Sequence, residues 1–187
     1  MTSVIDVGQF IYEKLNWIDA WKLQKLTYYA QAWALAWDGD RIFDDPFQAW
    51  PDGPVAPALH RDNKYYRLHA TRIMGADSAR LTDRQRDIIS SVLDFYGSMS
   101  KEELVELTHR EAPWVEARGD LQPDAYSSRE LRTETMRKTY SSQALTVSSV
   151  PSAPPIGHTD FCAGVTDDVL AAEMERWADT LSWLAVR

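Results

Sequence analysis

The segment Asp19 to Trp37, DAWKLQKLTYYAQAWALAW, restricts the fold more than any other part of the chain. Read at ~100° per residue, Leu23, Leu26, Ala30, Trp33, Ala34 and Trp37 share one sector about as wide as a core-facing stripe. The opposite side is not simply polar. Trp21, Tyr28 and Leu35 make a second apolar edge, with Gln24 and Gln31 nearly in line beside it. A helix apolar on two sides must be packed on two sides, which predicts a central helix that the rest of the chain covers. Asp19 is placed to cap its start, and Asp38-Gly39 to stop it, glycine supplying the left-handed position after the last turn. The glutamine row has two readings. Either the amides are satisfied inside the protein, as most buried polar groups are, or Gln24, Tyr28 and Gln31 line a polar seam offered to a ligand or partner.

The length, 187 residues, suits one domain with an appendage, and such a chain buries roughly 70% of its unfolded surface without staples. Eight tryptophans and eight tyrosines are many for this size, and these side chains serve both cores and binding hot spots. The single cysteine, Cys162, excludes an intrachain disulfide and any multi-cysteine zinc site. His60, His69, His109 and His158 show no metal-binding spacing, so no metal or other cofactor is implied. A net charge of −8 argues against general nucleic-acid binding by this chain. Arg61 to Arg86 is locally basic, with Tyr65, Tyr66 and His69 interleaved; it is a solvated surface, a face for an acidic partner, or, as a weaker rival, a DNA-reading stretch. The N-terminus has no secretory pattern, and no apolar run approaches the ~18 residues of a membrane span. A cytoplasmic protein with no membrane partner is the expectation.

Along the chain, Ser3 and the spacing of Val4, Val7, Ile11 and Leu15 predict a first helix over 3–15. Three prolines in Pro51-Asp52-Gly53-Pro54-Val55-Ala56-Pro57 forbid a continuous helix there, and Phe47 to Trp50 alternates like one short strand. Pro57 suits the first turn of a helix, APALHRDNKYYRL, and Ala70 to Met74 reads as a short strand. Thr82-Asp83-Arg84-Gln85 and Ser100-Lys101-Glu102-Glu103 are capping boxes that open two helices. Pro113 ends the second and begins another short turn that presents Trp114, with Arg118 four residues on and able to stack on its indole. His109 with Glu111 and Glu116 is a candidate for acid–base chemistry, although no nucleophile stands at a defining spacing. A helix is predicted from Ser128, with Leu131, Met136 and Tyr140 inward. Residues 141–165 read as a Ser/Pro/Ala-rich linker or arm, and 166–187 as an amphipathic helix that folds back or meets a partner.

Three blocks resemble one known family. Lys22-Leu23-Gln24-Lys25-Leu26-Thr27-Tyr28-Tyr29-Ala30-Gln31-Ala32-Trp33 is similar to the KLQKLLYYAQAW signature of the Panacea domain, the SocA-like or phage-associated GepA-like antitoxin family. Phe43 to Pro57 resembles its second block, and Thr108-His109, Pro113-Trp114 and Ala117-Arg118 its third. The resemblance covers about residues 4–140, and Asp52 stands where the family more often has an aromatic.

The resemblance implies an antitoxin that neutralises a co-encoded, prophage-associated toxin by direct protein–protein binding, with no turnover and oligomeric state open. In one type the member is instead an adaptor that delivers its toxin to a AAA+ protease. An enzyme that reverses toxin damage, centred on His109, is the rival from another class. The expected fold is mainly α, α+β: a helical domain over 1–140 around a central buried helix with a small strand-and-turn insert, plus the C-terminal helical appendage. Candidate toxin-binding residues are Gln24, Tyr28, Gln31, Trp50, Tyr65, Tyr66, Trp114 and Arg118.

Overall fold

The central helix is α2 (Ala20–Trp37), in a computed structural model that describes residues 2–63 and 65–155. Every residue from Leu23 to Leu35 is buried. Asp19 caps the helix by accepting from Trp21 N at 2.8 Å, and Gly39 takes the left-handed conformation at φ 74°. Around α2 lie α1 (Val4–Leu15), a two-stranded antiparallel hairpin of β1 (Gln48–Trp50) and β2 (Gly53–Val55), α3 (Pro57–Asp62), α4 (Asp83–Tyr96), α5 (Lys101–Arg110), α6 (Ala112–Arg118) and α7 (Thr133–Thr146). Of these, α1, β2, α3, α4, α5 and α7 pack on α2 directly, which makes a mainly helical α+β fold. Both predicted capping boxes are present: Thr82 with Gln85 opens α4, and Ser100 with Glu103 opens α5.

The two glutamines of α2 hold the irregular chain between Asp38 and Pro57. Gln31 Nε2 donates to the Phe43 carbonyl at 2.8 Å, while its Oε1 accepts from Ile42 N at 2.9 Å. Gln24 Oε1 accepts from Ala56 N at 2.8 Å, and its Nε2 lies 3.5 Å from the Ala56 carbonyl. Each side-chain amide thus pairs with backbone as a neighbouring strand would, satisfying groups that are costly to bury unpaired.

A tyrosine cluster joins α2 to α4, the α5–α6 junction and α7. Tyr29 stacks on Tyr96 at 4.1 Å, and Trp33 Nε1 donates to Tyr96 Oη at 3.3 Å. Tyr140 Oη of α7 donates to Glu111 Oε2 at 2.6 Å and lies 3.2 Å from Tyr28 Oη; Tyr29 Oη also donates to Glu111 at 3.3 Å. Burial raises the Glu111 carboxyl to about 7, with the hydrogen bonds from Tyr140 and Tyr29 opposing that rise.

Four elements differ from the sequence expectation. Residues 70–74 form no strand, because α1 supplies their partners from a side chain: Ile73 N donates to Gln9 Oε1 at 2.9 Å, and Gln9 Nε2 donates to the Thr71 carbonyl at 3.2 Å. The helix from Pro57 stops at Asp62. The expected single strand is a hairpin, closed at Gly53. No helix opens at Ser128, since Arg129 to Leu131 add to the outer edge of β1, with Ala49 N donating to the Arg129 carbonyl at 2.9 Å and Leu131 N to the Phe47 carbonyl at 2.8 Å. The helix begins at Thr133 and continues through Thr146, into residues whose composition suggested a linker. Val150 then packs on the core, and Arg84 holds the Pro154 carbonyl at 2.9 Å. The helix expected over 166–187 lies outside the described residues.

Replacing Gln31 by Met keeps apolar bulk but leaves Ile42 N and the Phe43 carbonyl unpaired, a loss of about 2–4 kcal/mol in urea unfolding. Glu111, raised in the folded state from 4.5 to about 7, contributes stability that is complete below pH 4.5 and is lost as pH rises through 7. Thermal melts across that range should fall for the wild type, and Glu111→Gln should remove this component of the fall.

Candidate functional site

The turn of the hairpin, around Pro51-Asp52-Gly53-Pro54, lies against both Lys25 of α2 and Thr108 of α5. Gly53 has φ 96°, and a Cβ there would sit 2.7 Å from Thr108 Oγ1 and 2.9 Å from Lys25 Cε. Only glycine fits, by conformation and by space. The turn therefore brings together three separate parts of the sequence: Trp21 and Lys25 of α2, the hairpin itself, and Thr108 to Arg118 of α5 and α6.

Lys25 is fully buried, and its Nζ donates to the Pro54 carbonyl at 3.0 Å and lies 5.7 Å from the centre of a Trp21 ring. Burial draws this amine down to about 7, with the Asp52 carboxylate opposing. His109 stacks on Trp114 at 4.0 Å with the rings 16° apart. The imidazole is hydrogen-bonded to the Pro51 carbonyl, while its Nε2 is buried without a partner. Burial first, then the Lys25 charge, lowers its pKa and favours the neutral ring. Trp114 Nε1 donates to the Trp50 carbonyl at 2.9 Å.

Above this floor is a groove of about 490 Å³ between Trp21 and Asp52 on one side and the Lys101, Val105 and His109 face of α5 on the other. Its rim also carries Glu102, Glu106 and Arg110. Aromatic rings continue from it across the hairpin: Trp21 to Trp50 at 6.4 Å, Trp50 to His60 at 5.1 Å, and Trp50 to Tyr126 at 5.9 Å. Trp21 and Trp50 are half-buried and Tyr126 is 71% exposed, so apolar faces and carboxylates reach solvent together. Such a surface suits binding by stacking, burial and charge.

Of the candidate residues, Trp50, Trp114 and Arg118 meet here. Arg118 is not a surface anchor. Buried beside the Trp114 ring at 5.5 Å, it donates to the carbonyls of Ala49 (3.3 Å), Ala125 (2.6 Å), Pro123 (3.0 Å) and Gln122, and so staples residues 119–126 to β1. Gln24, Tyr28 and Gln31 are likewise buried, each hydrogen-bonded to partners inside the protein. Tyr65 is 47% exposed after α3, and Tyr66 opens the following short 3-10 turn. Sequence reasoning missed Trp21, Lys25, Asp52, His60 and Tyr126; the spacing of Trp21 and Lys25 by one helical turn was the available signal.

The acid–base set around His109 is not assembled. Glu111 turns into the tyrosine cluster, and Glu116 accepts from Thr135 Oγ1 at 2.9 Å. Among the described residues there is no group of three or more His, Cys, Asp or Glu able to hold a metal. Within the basic stretch, Arg84 pairs with Asp38, Arg80 with Asp6 and Arg61 with Asp62, at 2.6, 3.4 and 2.8 Å. Among the described residues no helix is long and apolar enough to cross a membrane.

Residues 23–115 match the family described as antitoxin SocA-like, Panacea domain. No curated protein and no solved structure matches the chain.

The folded-state value of Lys25, about 7, lies below its unfolded value of 10.5. Its contribution is therefore complete above pH 10.5 and is lost as pH falls toward 7. Stability measured by urea unfolding should rise between pH 7 and 9 in the wild type, and Lys25→Met should flatten that rise.

Proposed function

The chain belongs, through residues 23–115, to the antitoxin SocA-like, Panacea-domain family, and on that premise we propose that it neutralises a co-encoded protein toxin in the cytoplasm by binding it directly. The groove beside the hairpin turn is the binding site. The carrying observation is that the groove leaves large aromatic faces half-exposed on a rigid floor, with Trp21, Val105 and His109 around one concavity. Aromatic anchors seated centrally in a well-packed site supply most of the energy of ordinary interfaces. The floor is fixed by Lys25, Thr108 and Gly53 in close contact, which lowers the ordering cost of association. Sequestration needs no step beyond this. Delivery to a AAA+ protease would use the same toxin contact and would add a protease contact.

Trp21→Ala and Val105→Arg each alter the groove without touching the glutamine clamps or the tyrosine cluster. Both should lose toxin co-purification and cellular protection while keeping the wild-type circular dichroism spectrum and a cooperative melt. If both retain toxin binding, the interface lies elsewhere. Toxin that stays abundant but silent in protected cells indicates sequestration, whereas toxin whose level depends on a AAA+ protease indicates delivery.

A further inference from the structure

We infer that the groove between Trp21 and α5 receives a cationic side chain, an arginine or lysine of the protein partner, as the anchor of the interface. The inference rests on the reading of this groove as the toxin-binding site. Three observations give the chemistry of the occupant.

The rim is acidic in a directed way. Asp52, Glu102 and Glu106 line the groove with Lys101 and Arg110. Lys101 Nζ lies 3.5 Å from Glu102, and Arg110 is paired with Glu106, so both rim cations already have carboxylate partners. Asp52 is exposed at the hairpin turn and has no ion-pair partner among the described residues. A chain of net charge −8 adds a long-range field of the same sign, which steers a basic partner toward the surface.

The wall is an aromatic face. Trp21 lines the groove and is flanked by Trp50 at 6.4 Å and His60 at 6.1 Å. Indole binds cations over its face more strongly than other side chains do, and arginine also stacks on it. The protein already uses this affinity beside the groove, with the Lys25 amine 5.7 Å from a Trp21 ring centre and the Arg118 guanidinium 5.5 Å from that of Trp114.

The floor holds a buried ring nitrogen without a partner. His109 Nε2 is buried and unpartnered, on an imidazole whose pKa burial lowers. An orphaned acceptor costs free energy that an incoming N–H recovers, and guanidinium and ammonium groups carry donors only. Reaching it requires the groove side chains to open slightly, as interface rotamers commonly do. Of the cations that act on His109, Lys25 acts most strongly, and burial has already drawn that amine toward its neutral form. An apolar occupant would leave the Asp52 carboxylate without a counter-charge, and an anionic one would meet it as the rim carboxylate without an ion-pair partner among the described residues.

The test uses the full chain labelled with 15N and three probes: the N-acetyl N′-methylamides of arginine, lysine and leucine. Expected is a saturable shift of the Trp21 indole N–H and the His109 ring with arginine or lysine and not with leucine. Asp52→Asn should weaken that binding by about fivefold, the scale of one ion pair at a partly exposed site. Equal responses to all three probes, no response to the cations, or an unchanged affinity in Asp52→Asn would overturn the inference. The Val105→Arg variant separates this from the reading beneath it. Toxin binding lost in that variant, with no cation preference in the wild type, removes the cationic anchor and leaves the toxin site standing. A cation site in the wild type, with toxin still bound by Val105→Arg, removes the toxin reading instead.

Discussion

The arrangement hangs on two side-chain amides. Residues 38–56 cross the face of α2 with little regular structure of their own, yet Ile42, Phe43 and Ala56 are buried there. Backbone in that position lacks water and lacks a strand partner. Gln24 and Gln31, seven residues apart on one face of α2, supply both a donor and an acceptor at each end of the crossing. Glutamine is suited to this because its amide has the peptide's own hydrogen-bonding pattern on a flexible stem. With both ends held, the hairpin between them can turn only over Thr108 and Lys25.

Two buried cations in that region are treated differently. Arg118 meets several carbonyls from two chain segments, and its planar fork is used on both edges, so its charge is well solvated by protein dipoles. Lys25 has the Pro54 carbonyl and an indole face for its three donors. Its amine accordingly shifts toward neutrality. The difference follows from where the chain passes: residues 119–126 wrap Arg118 and offer it several carbonyls, whereas the hairpin offers Lys25 the Pro54 carbonyl.

Much of this was legible because the signals were local. The capping boxes at Thr82 and Ser100, the proline at 57 and the two-sided stripe of α2 each specify a helix end or face without reference to the rest. Two of the departures share one cause. Residues 70–74 and 128–132 were assigned by their own pattern, but their backbone partners are Gln9 and β1, which are distant in sequence. The binding candidates divide in the same way. An aromatic or glutamine at helical spacing does not declare which neighbour will cover it, so Gln24, Tyr28 and Gln31 went inside and Trp21 was left at the groove. Asp52 was noted for its departure from the family, and the groove gives that departure a setting.

The tyrosine cluster has a bearing on how such a segment is inherited. Tyr140 of α7 completes the hydrogen bonding of Glu111, and α1 covers another side of α2, although both helices lie outside residues 23–115. An excised copy of the matching stretch would present bare core on two sides. Recombination that moves this domain between genes must therefore carry its flanks as cargo, and any new appendage has to be joined beyond them.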